Sequence, residues 1–151
     1  MPTRVHTKYG DIFAPDGRCK DDYRNMEVYD QFGGHTIVIL QHGAMNSFKA
    51  AEKRFYKLSP AWAKQHPKQD SRPIIILPGS KRDCATQTRL YASDSNRYAH
   101  PDKTLHTRGL ALDIDQRQSG LITIYKILAG HGWNRSRPTD EPWHWSYYFT
   151  A

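Results

Sequence analysis

Apolar and polar positions change rhythm several times along this chain. "HTIVIL" (35–40) is short and β-branched, and predicts a first strand. In the following segment Phe48, Ala51, Phe55, Leu58 and Trp62 recur at spacings of three and four, so they share one helical face. Lys49, Lys53, Lys57 and Lys64 lie mostly off that face, and Asn46 or Ser47 can cap its start. Ser59 followed by Pro60 suits an N-cap and a first helical position, so the helix breaks there and restarts. "RPIIILPG" (72–79) predicts a second strand bounded by prolines, and "RDCATQTRLYASD" (82–94) a short helix. "GLALDID" (109–115) alternates as a third strand does. "LITIYKILAGHGW" (121–133) predicts a helix with Ile122, Tyr125, Ile127 and Leu128 toward the core, ending at Gly130 or Gly132. "WHWSYYF" (143–149) is the last strand. Residues 1–34 are polar and broken by "APDGR" and "FGG", which suggests an irregular N-terminal arm or cap. Without a regular βαβ beat, the pattern predicts an α+β fold, an antiparallel sheet with flanking helices.

Length adds one constraint: 151 residues imply a single domain, 1–151, able to bury about two-thirds of its unfolded surface. Charge adds another. Lys+Arg number 22 and Asp+Glu 15, a net +7, which favours an anionic partner: nucleic acid, a membrane surface or a wall polymer. No stretch approaches the ~20 apolar residues of a membrane span. "MPTRVHTKYGD" has no apolar run after its charges, so no secretory signal is expected, and the chain is expected to be made in the cytoplasm. Cys19 and Cys84 lie far apart and form no CxxC, which excludes a cysteine zinc site; cytoplasmic synthesis favours two free thiols.

Strand parity then gathers candidate chemistry. In "GLALDID", Leu110, Leu112 and Ile114 point one way, and Ala111, Asp113 and Asp115 the other. In the last strand Trp143, Trp145 and Tyr147 share one face, while His144 points away with Ser146 and Tyr148. Two strands can each aim one ligand into a common cleft on the sheet, and His106, just before the Gly109 turn, can supply a third. Two imidazoles and a carboxylate suit Zn²⁺ with a fourth position left for water. A peptidase also needs a base beside the metal, and Glu141, stiffened by Pro142 and three residues before His144, is the candidate; Asp115 is the next suspect.

"KTLHTRGLALDID" followed by "EPWHWSYY" resembles the zinc peptidases of the D-alanyl-D-alanine carboxypeptidase type (peptidase M15, VanY-like), a group that includes phage endolysins cutting peptidoglycan stem peptides. The family pattern is a hydroxyl residue two before a histidine, then Gly, Ala and Asp, and later Glu-x-x-His, with an upstream Arg followed five residues on by Gln. Here the last two are Arg82 and Gln87 in "RDCATQ", and "AHPDKTLH" is similar to the family's approach to the first histidine. The likeness covers residues 72–149. It implies one zinc per chain held by His106, Asp113 and His144, with Glu141 as the catalytic base. It also implies that Arg82 binds substrate or polarises the scissile carbonyl, with Gln87 and Thr104 near the substrate. Thr104 stands where serine is usual, which keeps the hydroxyl but narrows the substrate site by a methyl; "GSKRD" lacks the usual aromatic before the arginine, which makes the role of Arg82 less firmly implied than those of the metal ligands; and the alternative for Gln87 is to cap or pack.

The implied function is hydrolysis of peptidoglycan stem peptides by a monomer drawn to an anionic wall polymer and acting on the bacterial wall after release. An endolysin-type L-alanyl-D-glutamate endopeptidase is preferred over a D-alanyl-D-alanine carboxypeptidase, because small members without a signal are mostly lysins. A non-catalytic basic module holding wall polymer or nucleic acid is the reading from another class. Against it, the basic residues are dispersed, no nucleic-acid motif appears, and a pure binding domain needs no acid beside a metal.

Overall fold

The computed structural model describes residues 3–14, 16–31 and 36–148. Pro15 in "APDGR", the "FGG" break, and the outer residues His35 and Phe149 of the first and last expected strands lie outside them. The described chain is α+β with antiparallel pairing throughout, divided among small sheets rather than gathered in one. A hairpin of β1 (Thr3–Thr7) and β2 (Gly10–Ala14) comes first, then β3 (Met26–Asp30) paired with β4 (Ile37–Gln41). Helices α1 (His42–Lys57), α2 (Pro60–Gln65) and α3 (Cys84–Ser93) follow. β5 (Ala111–Asp113), α4 (Leu121–Gly130), β6 (Trp133–Asn134) and β7 (His144–Tyr147) complete the fold, with strand order β5-β7-β6 in the last sheet.

The core forms because α1 turns Ala44, Met45, Phe48, Ala51 and Phe55 inward, where they meet buried Val38 and Leu40 of β4, Ile12 of β2 and Ile124 and Leu128 of α4. Close approach of α1 to the hairpin demands a glycine: a Cβ on Gly43 would stand 2.8 Å from the carbonyl oxygens of Gly10 and Asp11.

Several expectations are corrected. The described residues among 1–34 are not irregular throughout; β1, β2 and β3 lie within them, and Ile12 is fully buried. The first helix begins at His42, not near Asn46 or Ser47. Gln41 precedes it without capping it, because its amide is spent elsewhere. Its Oε1 accepts from Phe13 N at 2.7 Å, and its Nε2 donates to Phe13 O at 3.1 Å and Arg108 O at 2.9 Å. Ser47 is buried, donating to His131 O. Leu58, just beyond the last turn of α1, is 47% exposed. The break at Ser59–Pro60 does occur, and Trp62 on α2 is half-buried. In α4 the buried positions are Ile124, Ile127 and Leu128, while Ile122 is 72% exposed: its side chain falls on the outer face of a helix whose inward stripe starts two residues later. Residues 72–79 are not a full strand but touch the sheet through one bridge, Ile76 to Ile114. Beside it the Gln118 side chain replaces a strand partner, accepting from Ile75 N and donating to Ile75 O, both at 2.9 Å.

The cysteines are not free thiols. Cys19 and Cys84 form a disulfide with a Cα separation of 5.9 Å across a sequence gap of 65. Separation in sequence does not measure separation in space: the hairpin returns the 16–25 segment to the start of α3. Around the bond, Cys84 N donates to Asp21 Oδ1 and Cys19 N to Asp102 Oδ1. Closing a loop of that size restricts the unfolded chain by about 4 kcal/mol in the chain-entropy account.

Candidate metal centre

Local structure brings three side chains together. His106 opens a 3-10 turn, His106–Arg108, that ends at Gly109 in the left-handed region with φ 71°. A Cβ at Gly109 would also sit 3.0 Å from Gln41 N and Met26 Sδ, so this turn accepts glycine for two reasons. The turn delivers the chain into β5. There Ala111 faces Ser146, Leu112 faces Trp145 and Asp113 faces His144 across an antiparallel pair. Directly opposed residues share a face. Leu112 and Trp145 therefore enter the core, while Asp113 and His144 rise together on the other side. His106, Asp113 and His144 are all buried.

Their atoms converge. His106 Nε2 lies 3.1 Å from His144 Nδ1 and 3.3 Å from Asp113 Oδ1, and His144 Nδ1 lies 3.6 Å from the same oxygen. A tetrahedral ion with nitrogen and oxygen ligands at about 2.0–2.1 Å holds its ligand atoms about 3.3–3.4 Å apart. The three separations bracket that value. Protonation agrees with the geometry. Ser80 O can only accept, so the 2.5 Å contact assigns the proton of His106 to Nδ1 and leaves a lone pair on Nε2. His144 Nε2 lies 3.0 Å from Ser146 Oγ, a contact that turns Nδ1 inward. Asp113 Oδ1 is buried without a hydrogen bond. Three possible ligand atoms thus meet at one point, an arrangement that a cation would satisfy and that outer hydrogen bonds orient as in metal sites.

A cleft of about 260 Å³ opens over this point, lined also by Arg82, Gln87, Thr104, Glu141 and Trp143. Trp143 precedes β7, is half-buried and borders the cleft, whereas Trp145 and Tyr147, expected to share its face, are buried in the core. Arg82 Nη2 donates to Asp113 Oδ2 at 3.1 Å and its Nη1 to Gln87 Oε1 at 3.1 Å. Gln87, buried on α3, donates in turn to Ala99 O at 2.8 Å. Burial pushes the Asp113 carboxyl up, but His106, His144 and Arg82 outweigh it and hold the group below its ordinary range. Thr104 Oγ1 accepts from His106 N at 3.2 Å, fixing the start of the turn. Glu141 is half-buried on the loop before β7, and its carbonyl accepts from His144 N at 3.0 Å, so the two residues belong to one turn. Asp115 does not line this cleft; its carboxylate accepts from Arg117 at 2.9 and 3.0 Å.

No family model matches the sequence, and no curated protein matches it either. Solved structures do. The chain shares the fold of VanY. That structure is a mutant of the vancomycin-resistance D,D-pentapeptidase VanY, from a VanB-type cassette, in complex with Zn(II). It superposes with a TM-score of 0.51 at 18% identity, over 86% of this chain and 82% of the other. The LD-carboxypeptidase LdcB superposes at a TM-score of 0.46 with 22% identity, over 95% of this chain and 79% of that one. The L,D-carboxypeptidase DacB of Streptococcus pneumoniae gives 0.46 at 19% identity with the same coverages, 95% and 79%.

Sequence reasoning missed the outer supports of the site. Ser80, Ser146, Tyr98, Arg97 and Arg137 all touch the ligands or border the cleft. Ser146 alone was within reach, since parity already placed it beside His144. Ser80 acts through a backbone carbonyl, which no side-chain pattern reveals.

Proposed function

We propose that this chain is a zinc-dependent peptidase of the VanY-like kind that hydrolyses peptidoglycan stem peptides. The observation that carries the reading is the His106–Asp113–His144 triangle, spaced for one ion and opening into a cleft that also holds Glu141. Zinc bound there would supply Lewis acidity and a water acidic enough to react near neutral pH. Glu141 takes a proton from the attacking water and returns it to the leaving amine as the C–N bond breaks. Arg82, its fork fixed by Asp113 and Gln87, stabilises negative charge developing on the scissile carbonyl oxygen. Ser80 and Ser146 hold the two imidazoles in the tautomers that present their lone pairs inward.

The preferred bond is L-alanyl-D-glutamate, as in endolysins. The second reading, a D-alanyl-D-alanine carboxypeptidase, is favoured by the shared fold with a D,D-pentapeptidase. Against a non-catalytic module stands Glu141, which binding alone does not require. The +7 charge draws the enzyme to an anionic wall, with Lys53, Arg54, Lys57, Lys64 and Lys68 exposed along α1, α2 and the turn after them. No helix among the described residues is long and apolar enough to cross a membrane.

Mass spectrometry of purified peptidoglycan after incubation with the zinc-loaded protein tests the reading. New L-alanine C-termini with free D-glutamyl amines identify the endopeptidase, and loss of a terminal D-alanine the carboxypeptidase. An unchanged stem peptide contradicts both.

A further inference from the structure

Three arginines border the candidate cleft: Arg82, Arg97 and Arg137. Two already pair with acids. Arg82 is held by Asp113 at 3.1 Å, and Arg137 pairs with Asp140 at 3.2 Å and Glu141 at 3.8 Å. Arg97 is exposed, and its guanidinium forms no ion pair or hydrogen bond with any described residue; it lies over the ring of Tyr98, 5.5 Å from Cζ to the centroid.

Its position is built. Asp94 ends α3, and its carboxylate accepts from Asn96 N at 3.1 Å and Arg97 N at 3.2 Å. Its carbonyl accepts from Arg97 N at 3.2 Å and Tyr98 N at 3.0 Å. These bonds lock the "DSNRY" turn. The Tyr98 ring has two guanidinium groups near it, with Arg97 Cζ 5.5 Å and Arg82 Cζ 5.8 Å from its centroid. A guanidinium resting on a fixed ring has lost part of its freedom before any ligand arrives, and its planar fork matches a carboxylate. An unmatched cation at the lip of an otherwise matched cleft selects anionic ligands.

We propose that Arg97 is a specificity-determining residue that binds a substrate carboxylate flanking the scissile bond, so that the site takes acidic peptides. This rests on the peptidase reading above. The carboxylate comes either from an internal D-glutamyl residue or from the peptide C-terminus.

Three soluble stem peptides separate the sources: one with both carboxylates free, one amidated at the glutamyl carboxyl, and one amidated at the C-terminus. KM and kcat are measured on zinc-loaded wild type and Arg97→Gln, and binding of the same peptides to Glu141→Gln, with and without Arg97→Gln, by NMR titration. In the wild type, amidating the recognised carboxylate weakens binding and raises KM about tenfold, with kcat little changed. In Arg97→Gln the ratio between free and amidated peptides falls toward one. Equal discrimination with and without Arg97, or none in the wild type, overturns the proposal while cleavage keeps the peptidase reading. Arg97-dependent binding without cleavage of any peptide keeps carboxylate recognition and overturns the peptidase reading. Neither binding nor cleavage removes both.

Discussion

Among the described residues two carboxylates are buried, Asp113 and Glu52, and their surroundings are opposite in kind. Glu52 of α1 is met by donors. Tyr29 Oη donates to Oε1 at 2.6 Å; Gln31 Nε2 and Ile74 N donate to Oε2 at 3.1 and 2.9 Å. Each oxygen is satisfied, and the network ties β3, α1 and the 72–79 segment together. Burial dominates there and pushes the Glu52 carboxyl up to about 7. Asp113 is met by Arg82 on one oxygen and by two inward-facing imidazole nitrogens near the other, which has no donor. Its carboxyl is held down instead of up. A buried acid that completes its hydrogen bonds serves the scaffold, whereas a bare buried oxygen beside two imidazole nitrogens leaves a position that a bound cation would fill.

The largest effect that sharpens this contrast is on turnover at the Asp113 side. Glu141→Gln leaves the triangle intact and should lower cleavage of a stem peptide by about 10²–10⁴-fold with zinc content and melting temperature unchanged. Steady-state rates on metal-quantified protein measure it, and retained turnover would move the base elsewhere.

Glu52 should behave in the opposite way. Glu52→Leu strands three donors and should cost about 3–5 kcal/mol of stability at pH 6, while the folded fraction keeps its zinc and its rate. Urea unfolding beside a rate per folded molecule makes the comparison. A rate lost in proportion greater than the folded fraction would join Glu52 to the site.

How much of this was legible follows from the same two acids. Asp113 and His144 could be read as facing one way because the alternation of Leu112 and Trp145 with them is a period-two signal, and the register Asp113 to His144 agrees with it. Glu52 offered no such signal. It sits one residue after Ala51 on the apolar side of α1, and only its partners from β3 and residue 74, distant in sequence, show why an acid belongs there. The N-terminal strands were missed for a related reason: β1 and β3 expose or half-expose nearly every side chain, so alternation is weak. The second strand was overread because "IIIL" carries β-branched residues yet keeps one bridge, a side-chain amide having taken the place of a neighbour. The disulfide was invisible because spatial proximity of Cys19 and Cys84 depends on a hairpin that the pattern did not reveal.

Acidity gives a smaller effect of opposite sign at the two carboxylates. Glu52 has a folded value above its ordinary 4.5, so the folded state holds the proton more tightly, and stability falls as pH rises from about 4.5 to about 7. A shift of that size corresponds to about 3 kcal/mol over the window. Asp113 has a folded value below its ordinary one, so its contribution is present above about 4 and is lost as pH falls. Urea midpoints at pH 5 and pH 8 should therefore decline toward pH 8 in the wild type and flatten in Glu52→Gln. An identical slope in both would place the titration on another group.

The smallest effect concerns the hydroxyl beside His106. Thr104→Ser keeps the acceptor for His106 N and should change stability by no more than about 0.5 kcal/mol, read from the melting temperature. A larger loss would mean that the threonine methyl, and not the hydroxyl, sets the turn.

The central claim is that Asp113 lacks a donor because a metal belongs there, and native mass spectrometry of protein dialysed against zinc tests it most directly. The account predicts one zinc per chain in the wild type and in Glu141→Gln, and none retained in Asp113→Asn or in the His106→Ala, His144→Ala double variant. Full zinc occupancy in that folded double variant would contradict it.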